Sequence, residues 1–145
     1  MKELIAELKK YFKIQELVCP DVYRTFGEQA WYFFDESILQ TILWLRKTIN
    51  APITINNWAN GGQFSQRGLR CNRCALVKSK ARPYLSAHIL GKGVDLDVKG
   101  YTAQQTRDFI IEHAATLPCK IRLEKNVNWV HVDTRNFGNS KIQLF

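Results

Sequence analysis

Ser86-Ala87-His88-Ile89-Leu90-Gly91-Lys92-Gly93-Val94-Asp95-Leu96-Asp97-Val98 holds a histidine and a carboxylate seven residues apart across a glycine-rich turn. Gly91 and Gly93 can take backbone conformations closed to residues with a side chain, so the turn can bring Asp95 back toward His88. Beyond it, Val94, Leu96 and Val98 alternate with Asp95 and Asp97, the pattern of a strand with one face in the core and one on a cleft. A second alternating segment, Trp129-Val130-His131-Val132-Asp133, sends Val130 and Val132 one way and Trp129, His131 and Asp133 the other. Two neutral imidazoles and one carboxylate give Zn2+ three protein ligands and leave a fourth tetrahedral place for water, as catalytic sites do. Singly, His88 reads as a turn or core histidine, Asp95 as a cap and His131 as a half-buried strand residue. Together they point to a metal site.

Ile121-Arg122-Leu123-Glu124 also alternates, and Lys125-Asn126-Val127-Asn128 suits a hairpin turn to the Trp129 segment. If Lys125 pairs with Asn128, Glu124 lies opposite Trp129 and Arg122 opposite His131. Arg122, Glu124, Trp129, His131 and Asp133 then share one face, with Glu124 diagonal to His131 at roughly 7–8 Å. Glu124 is therefore the expected general base for a zinc-activated water. Trp129 reads as core filler or pocket wall, and Asp133 as a turn cap or as the partner of a ligand imidazole's second nitrogen.

The series Ser86-x-His88-x-x-Gly91-x-x-x-Asp95 followed by Trp129-x-His131 resembles the signature of the zinc D-alanyl-D-alanine carboxypeptidase family, which includes dipeptidases and phage endolysins that cut peptidoglycan peptides. Tyr11 to Cys19 also resembles the opening of some members. The resemblance implies His88, Asp95 and His131 as zinc ligands, a small α+β domain, and hydrolysis of a peptide bond in or near the murein stem peptide. It also implies an arginine for the substrate carboxylate, for which Arg67 and Arg70 are the nearest candidates, both reading equally as surface charges; from the hairpin face, Arg122 is a further candidate cation and Trp129 a candidate substrate contact. Many members place the catalytic acid three residues before the second histidine, where this chain has Asn128. Asparagine cannot be a general base. Either the base is Glu124, which we favour, or the site binds zinc without turnover.

At 145 residues the chain is expected to be a single zinc peptidase domain over 1–145, an antiparallel sheet with a central zinc site and packed helices. Its apolar runs are too short and interrupted to span a bilayer, and its N-terminus lacks the block of a secretory signal. A protein made in the cytoplasm would then reach the wall by phage-type release or as a virion component. The net charge of +8, from 21 basic and 13 acidic residues, suits polyanionic surroundings, a bacterial wall among them. The expected partner is a peptidoglycan peptide, bound by a monomer. The rival readings are a basic nucleic-acid-binding module and a non-catalytic zinc-binding wall or virion protein. Of the four cysteines, Cys71-Asn72-Arg73-Cys74 forms a lone C-x-x-C, so reduced thiols are expected, a second metal using Cys19 or Cys119 being the alternative.

Elsewhere the pattern predicts an amphipathic helix over 3–12, a turn at Cys19-Pro20-Asp21, an aromatic stretch from Phe26 to Phe34, and a helix capped by Asp35 and stopped at Asn50. A strand from Pro52 to Trp58, a long loop from Gly61 to Leu85, and a helix opened by the Thr102–Gln105 capping box follow. His113 sits at the edge of that helix's apolar stripe and is read as structural, while Asp97 is read as an ion-pair or solvent residue.

Overall fold

A computed structural model describes residues 1–145. The first helix, α1, spans Lys2–Leu8. It is shorter than the 3–12 pattern suggests. The Glu16 carboxylate accepts the Lys13 amide at 2.7 Å and starts a new turn over Ile14–Glu16, so Phe12 reaches the core from outside the helix. Cys19-Pro20-Asp21 does not end a segment either. Pro20 opens α2, Pro20–Phe26, at the first helical position, where a missing N–H costs nothing. The aromatic stretch is a 3-10 helix over Gly27–Phe33 that buries Trp31 and, just beyond it, Phe34.

Helix α3 covers Glu36–Ile49 as its signals predict. The Asp35 carboxylate accepts the Ser37 amide at 3.0 Å, and Asn50 ends the helix in the left-handed region at φ 49°. Strand β1 is only Ile53–Thr54, because Asn56 and Trp58 turn away to bond the Val18 carbonyl at 3.1 and 3.0 Å. The long loop that follows holds one short helix, α4, Ala75–Lys78. Strand β2 is Gly93–Val98, helix α5 is Ala103–Glu112 with both halves of its Thr102–Gln105 capping box formed, and β3 is Ile121–Leu123. Strands β4, Val130–Asp133, and β5, Ile142–Leu144, complete the sheet.

The five strands lie in the order β1-β2-β4-β3-β5, antiparallel except for the parallel pair β3 and β5, so the domain is α+β with a mostly antiparallel sheet. The alternation of side chains then sorts the molecule. Val94, Leu96, Val130, Val132, Ile121 and Leu123 join the core with Ile38, Leu39, Ile42 and Leu45 of α3. The other face of the same strands carries Asp95, His131, Asp133 and Arg122. No helix is long and apolar enough to cross a membrane.

The hairpin register differs by two residues from the one expected. Arg122 pairs with Asp133, and the Glu124 amide donates to the His131 carbonyl at 3.3 Å. Arg107, buried on α5, is the reason: its guanidinium donates to the carbonyls of Val127 and Trp129 at 3.1 and 2.9 Å. Those carbonyls are drawn away from the partner strand, and the connection becomes a longer loop with Asn126 in the left-handed region at φ 59°.

Candidate metal centre

Asp95 on β2 and His131 on β4 are directly paired across the sheet, so their side chains share the polar face. His88 arrives from the preceding turn, which is tied down at several points. The Lys92 amide donates to the Ala87 carbonyl at 2.8 Å, the Asp35 amide donates to the Gly91 carbonyl at 2.9 Å, and the Lys92 ammonium meets the Asp35 carboxylate at 3.0 Å. Gly91 is left-handed at φ 64°, and a Cβ there would lie 2.2 Å from the Phe33 carbonyl oxygen, so the turn demands glycine. Gly93 serves differently from the expected turn residue. It lies in the strand without a positive φ, and its bare Cα admits Ala87 and Asp133, whose Cβ atoms would sit 2.7 and 3.0 Å from an added one.

The ligand atoms of His88, Asp95 and His131 all lie within 4.8 Å of one another. His88 Nε2 is 3.4 Å from Asp95 Oδ2, and His131 Nδ1 is 2.7 Å from Asp95 Oδ1. The remaining ring nitrogens are engaged elsewhere. His88 Nδ1 is 2.9 Å from the Gly68 carbonyl oxygen and His131 Nε2 is 3.2 Å from Asp133 Oδ2. Each imidazole therefore has an outer acceptor for one nitrogen and turns the other inward, the arrangement that orients metal-bound histidines. This donor set fits a zinc ion: two nitrogens and a carboxylate on one spot, with outer partners in place.

The ionisation of the group follows from its burial. Desolvation depresses the His88 pKa and favours the neutral ring that a metal needs. Burial works the same way on His131, but hydrogen bonds to Asp133 and Asp95 outweigh it and raise that pKa to about 9. Burial opposes the charge on Asp95, yet hydrogen bonds from His131 and His88 hold its carboxyl well below the usual range. Asp133, wholly excluded from solvent, is held low against its own burial by His131, Arg122 and Arg135.

A cavity of about 260 Å³ opens on this cluster, lined by His88, Asp95, His131, Arg70, Glu124 and Trp129 among others. Glu124 is half-buried there, opposite His131. Arg70, buried, places Nη2 3.2 Å from Asp95 Oδ2. A second cavity of about 370 Å³ shares Asp95 and Trp129 with the first and adds Phe64, Arg67, Asp97 and Asn128. Trp129 is thus an exposed wall between two cavities and not core filler. Arg67 is held 2.6 Å from Asp97 and lies over the Phe64 ring, which makes Asp97 the ion-pair residue expected of it. Arg122 lines neither cavity. Its guanidinium grips Asp133 at 2.9 and 2.6 Å and packs over Phe145.

Three participants escape a reading by motif. Arg135 bonds Asp133 at 3.2 Å and lines the first cavity with Tyr84, and Gly68 contributes only a backbone carbonyl. Among these only Arg135 has a sequence cue, its two-residue offset from Asp133. His113 is structural: Nδ1 lies 2.8 Å from the Phe109 carbonyl oxygen and the ring stacks on Phe109. Comparison with protein-family models, curated proteins and solved structures returns no match for this chain.

Proposed function

We propose that this chain is a zinc-dependent peptidase that hydrolyses peptide bonds of peptidoglycan stem peptides, as a D-alanyl-D-alanine carboxypeptidase or an endolysin-type endopeptidase. The supporting observation is the meeting of His88 Nε2, Asp95 and His131 Nδ1 in a cavity that also holds a half-buried glutamate. Zinc bound by these three would polarise the scissile carbonyl and bring the pKa of a water toward neutrality. Glu124 takes the proton from the attacking water and hands it to the leaving amine. Asn128 faces the neighbouring cavity and contributes no proton chemistry. The Arg70 guanidinium, beside Asp95, is the cation placed to hold a substrate carbonyl or carboxylate oxygen. Arg67 and Trp129 flank the path of the peptide on the other side. Arg122 acts indirectly, through Asp133 and His131.

Digestion of purified peptidoglycan, with and without a chelator and followed by mass analysis of the fragments, tests this reading. Chelator is expected to abolish release and zinc to restore it. Glu124→Gln is expected to keep zinc and lower turnover by 10²-fold or more, in line with the usual worth of a general base, about 10²–10⁴. Full activity of Glu124→Gln would move the base elsewhere, and activity indifferent to chelator would remove the metal from the reaction. Loss of a terminal D-alanine marks a carboxypeptidase, and internal cleavage an endopeptidase.

A further inference from the structure

Away from the His88 cluster, three thiols separated in sequence meet in space. The Sγ atoms of Cys19, Cys71 and Cys74 lie within 4.8 Å of one another, and those of Cys19 and Cys71 are 3.6 Å apart. Cys19 and Cys74 are buried and Cys71 is half-buried. A tetrahedral zinc ion with metal–sulfur bonds of about 2.3 Å sets its sulfurs about 3.8 Å apart. The Cys19–Cys71 spacing is close to that edge. The Cys71 amide also donates to Cys74 Sγ at 3.4 Å, a bond that stabilises negative charge on sulfur. Cys71, alone of the three, also lines a small cavity of about 100 Å³ with Asp21, Thr25 and Arg73. The fourth cysteine takes no part: Cys119 Sγ contacts Thr41 Oγ1 at 3.1 Å and the Ser37 carbonyl at 3.4 Å.

The place of the cluster in the chain suggests its use. Val18 and Leu69 form a parallel bridge, in which the Leu69 amide donates to the Leu17 carbonyl at 2.8 Å and the Cys19 amide to the Leu69 carbonyl at 3.0 Å. Cys19 and Cys71 lie just beyond the two sides of this bridge, and Arg70 stands between Leu69 and Cys71. After Cys74, residues 75–85 are exposed except for the half-buried Val77 and Tyr84. The thiols thus sit where the long loop leaves the core, with only Val77 packed against it in the short helix that follows.

We propose that Cys19, Cys71 and Cys74 bind a second zinc ion, which clamps the loop carrying Gly68 and Arg70 to the start of α2. This site does not depend on the peptidase reading. The histidine cluster contributes no thiolate, so the two sites are separable by spectroscopy.

Cobalt substitution of the whole protein provides the test. The wild type is expected to bind one equivalent of Co2+ that gives thiolate-to-metal charge-transfer absorption in the near ultraviolet, beside any bound at the histidine cluster. That absorption is expected to survive His88→Ala and His131→Ala and to vanish in Cys71→Ser, the half-buried position where serine disturbs packing least. On unmodified zinc protein, titration of the thiols with an organomercurial is expected to release one equivalent of zinc, which keeps the proposal testable if the serine variant does not fold. Cobalt binding without thiolate bands, bands that persist in Cys71→Ser, or no zinc released by the mercurial would each overturn the proposal.

Discussion

Asp133→Asn is the substitution that separates a carboxylate that merely packs from one that organises the centre. The side chain is fully buried, and its two oxygens accept from Arg122 Nε and Nη2 at 2.9 and 2.6 Å, from the Arg135 amide and Nη2 at 2.9 and 3.2 Å, and from His131 Nε2 at 3.2 Å. Asparagine keeps the shape, but it removes the charge and turns one acceptor into a donor facing donors. Breaking a buried pair costs about 3–5 kcal/mol. Here the guanidinium side chains keep 19% and 28% of their exposure and can turn toward water, which discounts the cost to just below that range, about 2–3 kcal/mol. At roughly 3 °C per kcal/mol for a domain of this size, the melting temperature should fall by about 6–9 °C. Zinc affinity should fall about 10–100-fold, because His131 loses the partner that fixes its tautomer. The pH dependence has a definite sign. A carboxyl whose folded pKa lies below its unfolded value of about 3.9 contributes fully above that pH, and its contribution is lost as the pH falls. The stability gap between wild type and variant should therefore be full at pH 7 and close progressively below about pH 4. Denaturant melts across pH, with a competitive zinc titration at pH 7, read all three quantities. A variant within about 0.5 kcal/mol of wild type, the range of inconsequential surface changes, would refute the anchoring role. Unchanged zinc affinity in a destabilised variant would refute the link to His131.

Arg107→Gln should loosen the loop that presents Trp129, since it removes the donors to the Val127 and Trp129 carbonyls, at a cost of about 2–3 kcal/mol in a denaturant melt. Under the proposed function, activity on peptidoglycan fragments should show a raised KM with a smaller change in kcat, because a wall of the cleft moves and the His88, Asp95 and His131 cluster does not. Asp35→Ala removes a helix cap and an ion pair to the half-exposed Lys92, for about 1–2 kcal/mol, nearly all of it from the cap. A melt with no loss would show that the cap is dispensable. Leu96→Ala empties a wholly buried position in the strand that carries Asp95 and should cost about 2–5 kcal/mol by thermal unfolding.

What could be read from the sequence was whatever depends on neighbours along the chain. Asp35 and Asn50 bound their helix by local hydrogen bonding and a left-handed residue, and Thr102 with Gln105 does the same for α5. Asp95 and His131 declare a shared polar face because each alternates with valine or leucine in its own strand, so the pairing of β2 with β4 was enough to bring them together. The features that escaped are those decided by distant partners. The two-residue slip of the β3–β4 hairpin comes from Arg107 on a helix that precedes both strands, and strand periodicity contains no trace of it. The slip nevertheless leaves the site face unchanged. Side chains alternate with period two, so a shift of two residues keeps Glu124 on the side of His131, whereas a shift of one would have sent it into the core. The cysteines show the opposite case. Cys71-x-x-Cys74 reads as a lone pair because its third member stands 52 positions earlier, brought in by a bridge between Val18 and Leu69 that no local pattern announces. The grouping of His88, Asp95 and His131 was therefore within reach of the sequence, while the Gly68 carbonyl that holds His88 depends on a loop whose path is set by tertiary contacts.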